Sequence, residues 1–311
     1  MVVINFLIIS VMRVVQAAFG KVSSIYIKNN KQLYLYDGYK NVISALFGFV
    51  LLAIGGIGGF NLDTFIVAFL TGISLIISSV TQILSLKYTT CVFSSVVANA
   101  GVLIIPSIVG IFLFDQPMSI GKWLGVLAIL LGAFFSIPSE EKEDIDSAKS
   151  KQNTAKGIKY LVLCFLFNGA VPVLQTWFSQ KVKGNTTTYT FLQFVVAAVC
   201  AGLVGLFFAL KDKKVPVEES SDNAQDFVSN KKRIKVLALS GALLAVAVFF
   251  ISQLVTVLAK DVPSSVLFSV LTALTLVITA IVGRIAFKEK LTKRILFGLL
   301  LCIIGVALTS L

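Results

Sequence analysis

The sequence predicts an all-α membrane protein of ten transmembrane helices, arranged as two inverted five-helix repeats. Three observations lead there. Of 311 residues, 57% are hydrophobic and 14% charged, with a mean hydropathy of +0.94, whereas a soluble domain carries about 25% charged residues. Apolar runs near the roughly 20 residues that cross a bilayer recur along the whole chain. The two ends of the chain also repeat one another.

On that ruler the first five spans fall at 2–20, 42–57, 65–85, 92–114 and 120–137. The second five fall at 158–180, 189–210, 234–259, 264–287 and 295–310. The first has no basic stretch ahead of it, is interrupted by Arg13 and shows no small-residue cleavage pattern. It is therefore expected to stay in place as a membrane helix. Short connectors such as "LKYTT" and "KDVPS" make neighbouring spans antiparallel hairpins. Residues 1–138 thus form a first five-helix unit, 139–157 a charged linker, and 158–311 a second unit that contains a charged loop at 211–233. Both charged segments are poor in aromatics and read as solvated.

The formal charge of +12 sits mostly in connectors, where it sets orientation and meets anionic headgroups. No nucleic-acid module is present and no nucleic-acid partner is expected. Connectors after odd-numbered spans hold roughly 19 Lys and Arg and those after even-numbered spans about three, which puts the odd connectors in the cytoplasm and both termini outside. Cys91, Cys164, Cys200 and Cys302 show neither metal-ligand spacing nor a disulfide framework, so they read as apolar packing residues and no cofactor is expected.

The internal repeat is written in motifs. "VVQAAF" (14–19) matches "VLQTWF" (173–178), pairing Gln16 with Gln175. "TQILSLKYTT" matches "SQLVTVLAKD", pairing Gln82 with Gln253. Gly110, Gly125 and Gly132 recur 173 residues later as Gly283, Gly298 and Gly305. An odd number of spans per unit inserts the second unit in the opposite sense, a device of secondary transporters that expose a midplane site alternately to each face.

Here the chain resembles the EamA-like members of the drug/metabolite transporter superfamily. Those proteins have two five-helix repeats, each closing with a turn of the form F-x-E-x-L-T and a glycine-bearing last helix. Phe287, Glu289, Leu291, Thr292, Gly298 and Gly305 match. In the first unit Phe114, Met118, Ser119, Gly125 and Gly132 match, and Gln116 replaces the acid. The resemblance implies a metabolite transporter of the cell membrane. For many members it also implies cytoplasmic termini, the reverse of the charge count.

Arg13 is the leading candidate for a binding residue. A cation at bilayer depth costs at least about 2.5–3.5 kcal/mol, and such groups face bundle interiors or wet cavities. It aligns with Pro172, so it belongs to one unit. The amides Gln16, Gln82, Asn99, Asn168, Gln175 and Gln253, with Gln193, could line the same cavity and bind a hydroxylated or amino-acid-like solute, or could bond helix to helix. Trp177 reads as a stacking or belt residue. Ser94, Ser95, Ser264 and Ser265 read as caps or anion donors. Pro106 and Pro172 read as helix breaks.

With no histidine, and every Asp and Glu read as lying in or beside a connector, a titrating intramembrane group is not expected. An exporter or exchanger without one fits best. The expected partners are a small polar metabolite, anionic or zwitterionic, and the lipid bilayer; a homodimer is left open. A nucleotide-sugar-type antiporter is the alternative, with a multidrug exporter or channel further off. An enzyme would need an acid, histidine or metal cluster, and none assembles.

Overall fold

A computed structural model describes residues 2–55, 58–89, 91–113, 119–135, 147–182, 184–212, 223–262, 264–286 and 292–310. Phe114, Gln116, Met118, Phe287, Glu289 and Leu291 lie outside these residues, as do the side chains of Cys91, Ser264 and Ser265. Ten α-helices follow in order: α1 (Val2–Tyr26), α2 (Asn30–Gly55), α3 (Leu62–Tyr88), α4 (Cys91–Leu113), α5 (Ile120–Phe135), α6 (Ser147–Trp177), α7 (Thr186–Asp212), α8 (Asn223–Leu258), α9 (Ser264–Ala286) and α10 (Lys293–Ser310). No strand occurs among the described residues. Among the described residues, eight helices are long and apolar enough to cross a membrane; α5 and α10 have 16 and 18 residues.

Side-chain caps fix where several helices begin. The amide N–H of Gln32 donates to Asn29 Oδ1 at 2.8 Å, that of Thr64 to Asn61 Oδ1 at 2.7 Å, and that of Thr187 to Asn185 Oδ1 at 2.9 Å. Ser119 and Thr292, 173 residues apart, take the same place before α5 and α10, accepting from Lys122 and Ile295 at 3.3 Å. The recurring Ser/Thr of the closing turn is therefore a helix cap. Gly59, at φ 76° between α2 and α3, adopts a left-handed backbone against Asn185.

The surface is apolar: Ile54, Phe112 and Ile120 are each more than three-quarters exposed. Buried positions, by contrast, include many Ser, Thr, Asn and Gln. Such a distribution suits a lipid exterior rather than water. Glycines bring backbones together. A Cβ on Gly101 of α4 would lie 2.1 Å from the Phe165 carbonyl oxygen of α6, and one on Gly169 would lie 2.6 Å from the Gly101 carbonyl oxygen. Close approach over small residues is how helices associate where apolar burial gives no drive.

The fifth helix packs on the tenth. Gly132 of α5 meets Gly298 and Cys302 of α10, while Gly305 of α10 meets Gly125 and Ile129 of α5. The crossed order means that α5 and α10 run antiparallel. In the same way Gly38 meets Ala201 and Gly202 while Gly48 meets Phe191, so α2 and α7 are antiparallel too. Helix α1 packs on α8 much as α6 packs on α3, and α4 lies against α9.

Several expectations change. α2 begins at Asn30 rather than residue 42, because Leu33, Tyr36, Asp37, Lys40, Asn41 and Ser44 form a continuous buried stripe at helical spacing. Asp37 is 0% exposed, so one carboxylate lies inside a membrane-length helix and not in a connector. Helices α4 and α6 also run on through Pro106 and Pro172. The irregular turn comes later, as a π-helical stretch at Phe178–Val182, a feature often found near functional sites. Helical structure further reaches into both charged segments, starting at Ser147 and Asn223.

Candidate functional site

Two small hollows lie side by side inside the bundle, of about 30 and 70 Å³. Both are lined by Arg13, Gln16, Val102 and Asn168. The smaller adds Gln82, Ser95, Asn99 and Thr275. The larger adds Ser78, Pro172, Gln175 and Ser252. Helices α1, α3, α4, α6, α8 and α9 thus converge on one polar centre. A water takes roughly 30 Å³ of liquid, so this is a contracted site with room for a few waters.

Arg13 projects from α1 into that centre. Its Nη1 donates to Asn99 Oδ1 at 3.3 Å, and its Nε is buried without a partner. No carboxylate pairs with it among the described residues. The neighbouring amides are held by their own helices: Asn99 Nδ2 donates to the Ser95 carbonyl at 2.8 Å, and Asn168 Nδ2 to that of Cys164 at 2.9 Å. Gln175 Nε2 donates to Ser252 Oγ at 2.9 Å, and Gln193 Nε2 reaches the same hydroxyl. A guanidinium with spare donors, ringed by fixed neutral amides, can take an anionic group and hydrogen-bond the rest of a solute.

Of the seven residues singled out in the sequence, Arg13, Gln16, Gln82, Asn99, Asn168 and Gln175 line the hollows. Gln253 does not; its Nε2 donates to Thr187 Oγ1 at 3.2 Å. The cause is helical phase. Ser252 and Gln253 stand about 100° apart around α8, and the serine takes the inward position. Ser78 and Ser252 therefore went unread, although Ser252 directly precedes the aligned glutamine. Trp177 is 36% exposed and lines neither hollow. A wider cavity of about 460 Å³ between α9 and α10 has apolar walls apart from Arg284, and it suits a lipid-facing groove better than a polar solute.

The sequence also passed over a charged cluster. Lys40 Nζ donates to Asp37 Oδ1 at 2.5 Å and to Ser79 Oγ at 2.6 Å; Ser79 Oγ donates to Asp37 Oδ1 at 2.5 Å; Asn41 Nδ2 donates to Asp37 Oδ2 at 3.0 Å. Hydropathy counting treats Asp37 and Lys40 as connector charges. Their spacing of three residues within a buried stripe was the available signal.

A polytopic bundle with an apolar exterior and a polar centre defines an integral, multi-pass membrane protein. The chain belongs to the EamA-like transporter family of the drug/metabolite transporter superfamily, which it matches over residues 155–311. Members of that family are transporters rather than enzymes. No curated protein matches the chain. A solved structure described as "Crystal structure of protein" is similar in fold at 14% identity and a TM-score of 0.65, covering 99% of this chain and 98% of that one.

Proposed function

We propose that the protein is a secondary transporter of the cell membrane for a small polar, anionic or zwitterionic metabolite, such as an amino acid or organic anion. The single observation that carries this reading is Arg13: a cation at the meeting point of six helices, with no acid paired to it among the described residues and amides around it. The solute's carboxylate or phosphate takes the guanidinium, and Gln16, Asn168 and Gln175 bond its neutral groups.

The site is alternately exposed as two inverted five-helix repeats rock against each other. Antiparallel packing of α5 on α10 and α2 on α7 supports that plan, as do the matched caps at Ser119 and Thr292. The water-sized hollows mean that helices must part to admit solute. Charge bias supports a cytoplasmic connector at Lys28. A cysteine there is expected to resist an impermeant thiol reagent applied to intact cells, and ready labelling would reverse the orientation.

Thermal-shift screening of purified protein against amino acids, organic anions and nucleotide sugars tests the site. A ligand present at 100 times its Kd stabilises by about 2.7 kcal/mol. The stabilising compound is expected to be an anion or zwitterion and to lose its effect in Arg13→Gln. An undiminished shift in that variant overturns the assignment, and stabilisation by nucleotide sugars alone favours the antiporter alternative.

A further inference from the structure

The two hollows differ in their walls, and with the Arg13 assignment as the base that difference narrows the class of solute. Among the described residues Arg13 is the one charged side chain in either lining. The smaller hollow is walled mainly by polar groups, Gln82, Ser95, Asn99 and Thr275. The larger brings together Leu75, Val102, Val171, Val248 and Ile251 from α3, α4, α6 and α8. Its two hydroxyls are already engaged. Ser78 Oγ donates to the Leu75 carbonyl at 3.0 Å, and Ser252 Oγ accepts from Gln175 Nε2 at 2.9 Å. Leu75 and Val248 are backed by the buried rings of Phe194 and Phe249.

We propose that the solute is a monocarboxylate with an oxo or hydroxy oxygen on its second carbon and a short aliphatic tail. Its carboxylate lies in the smaller hollow. There it accepts from Arg13 Nε, which is buried without a partner, and from Nη2, the donor beside it. Nη1 stays on Asn99 Oδ1, an amide that the Ser95 carbonyl holds in place through Nδ2. The oxygen on the second carbon meets Gln16 and Asn168, the amides that line both hollows. The tail enters the larger hollow, and it is short because that space is about 70 Å³.

Charge selects the head group. With one cation and no acid among the described lining residues, a monoanion brings the site to neutrality. A zwitterion leaves one positive charge, and its ammonium meets no carboxylate in either lining. A dianion leaves one negative charge without a cation, since Lys40 is committed to Asp37. A charge buried without a partner is disfavoured in both cases. The walls select the tail. Each methylene moved from water onto apolar side chains tightens binding about fourfold, whereas a sugar ring sets its hydroxyls against the same walls and leaves them unbonded.

Four compounds test this by thermal unfolding of the purified full chain in detergent at neutral pH: 4-methyl-2-oxopentanoate, pyruvate, leucine and 2-oxoglutarate. They share a carboxylate with a substituted second carbon and differ in tail and charge. The branched oxo acid is expected to raise the unfolding temperature at a concentration at least about tenfold below that needed for pyruvate. Leucine and 2-oxoglutarate should give no shift at that concentration. Arg13→Gln should abolish the effect. Val248→Thr keeps the shape of the wall and adds a hydroxyl, so it should narrow the gap between the branched acid and pyruvate. Leucine or 2-oxoglutarate acting as well as the branched acid, with the effect lost in Arg13→Gln, overturns the monoanion class and leaves Arg13 as the anion site. A shift by the branched acid that survives in Arg13→Gln overturns both. No shift from any of the four, no gain from the tail, or an unchanged gap in Val248→Thr overturns the class, while Arg13 is then decided by the wider ligand screen.

Discussion

The first five helices and the last five differ in where they keep charge. Asp37 and Gln193 each stand eight residues past an asparagine cap, Asn29 and Asn185, on helices that pack against each other. Each side chain reaches a serine on the next helix, Ser79 for Asp37 and Ser252 for Gln193. In the first half the bridge is ionic and completed by Lys40; in the second it is neutral and shared with Gln175. Arg13 likewise faces the centre from the first half, where the second half presents Pro172. One half therefore carries the charge of the interior, and the other supplies neutral amides and hydroxyls.

The largest expected effect comes from unbalancing the ionic bridge. Lys40→Met leaves Asp37 buried beside Ser79 and Asn41 without a cation, which should cost about 3–5 kcal/mol. Replacing both partners, as Asp37→Leu with Lys40→Met, should recover most of that loss. Gln193→Leu, at the matching place in the second half, should cost about 1 kcal/mol because no charge is stranded. Thermal unfolding in detergent measures all three. Equal losses for Lys40→Met and Gln193→Leu would mean that the two bridges are the same structure with different atoms.

A middle-sized effect tests the scaffold rather than the chemistry. A Cβ on Gly132 would lie 2.5 Å from Cys302 Sγ and 2.6 Å from the Gly298 carbonyl oxygen; one on Gly305 would lie 2.6 Å from that of Gly125. Gly132→Ala and Gly305→Ala should each destabilise by about 1–3 kcal/mol through overpacking. If the halves are equivalent at this seam, the two losses agree. A large loss for one alone would break the comparison.

How far these differences could be read beforehand depended on the kind of signal. Apolar length located the helices, and the 173-residue spacing of Gly125, Gly132, Gly298 and Gly305 marked the seam, because both follow from composition and position. Hydropathy could not find the start of α2. Asp37 and Lys40 cancel each other's charge across one helical turn, and a sum over a window does not see a pairing. Arg13 and five of the seven amides reached the centre because an inward polar residue in an apolar span has few other places to go. Gln253 shows the limit of motif alignment: the residue aligned with Gln82 turns towards Thr187 while its neighbour Ser252 lines the larger hollow, which no single sequence reveals.

That rotation sets the smallest and most discriminating expectation. Gln175 lines the larger hollow and bonds Ser252, whereas Gln253 bonds Thr187 on α7 away from both hollows. Interhelical hydrogen bonds in membranes average about 0.6 kcal/mol, so Gln175→Leu and Gln253→Leu should lower stability by similar small amounts. They should part company in ligand binding. Titrating a stabilising solute against each variant, Gln175→Leu should weaken binding several-fold, about 1 kcal/mol, and Gln253→Leu should leave it near wild type. Gln82→Leu in the first half should behave like Gln175→Leu, since Gln82 faces the smaller hollow. If Gln253→Leu weakened binding as much as Gln82→Leu did, the glutamines would be working as a symmetric pair, and the one-residue twist of α8 would have to be undone at some point in the cycle.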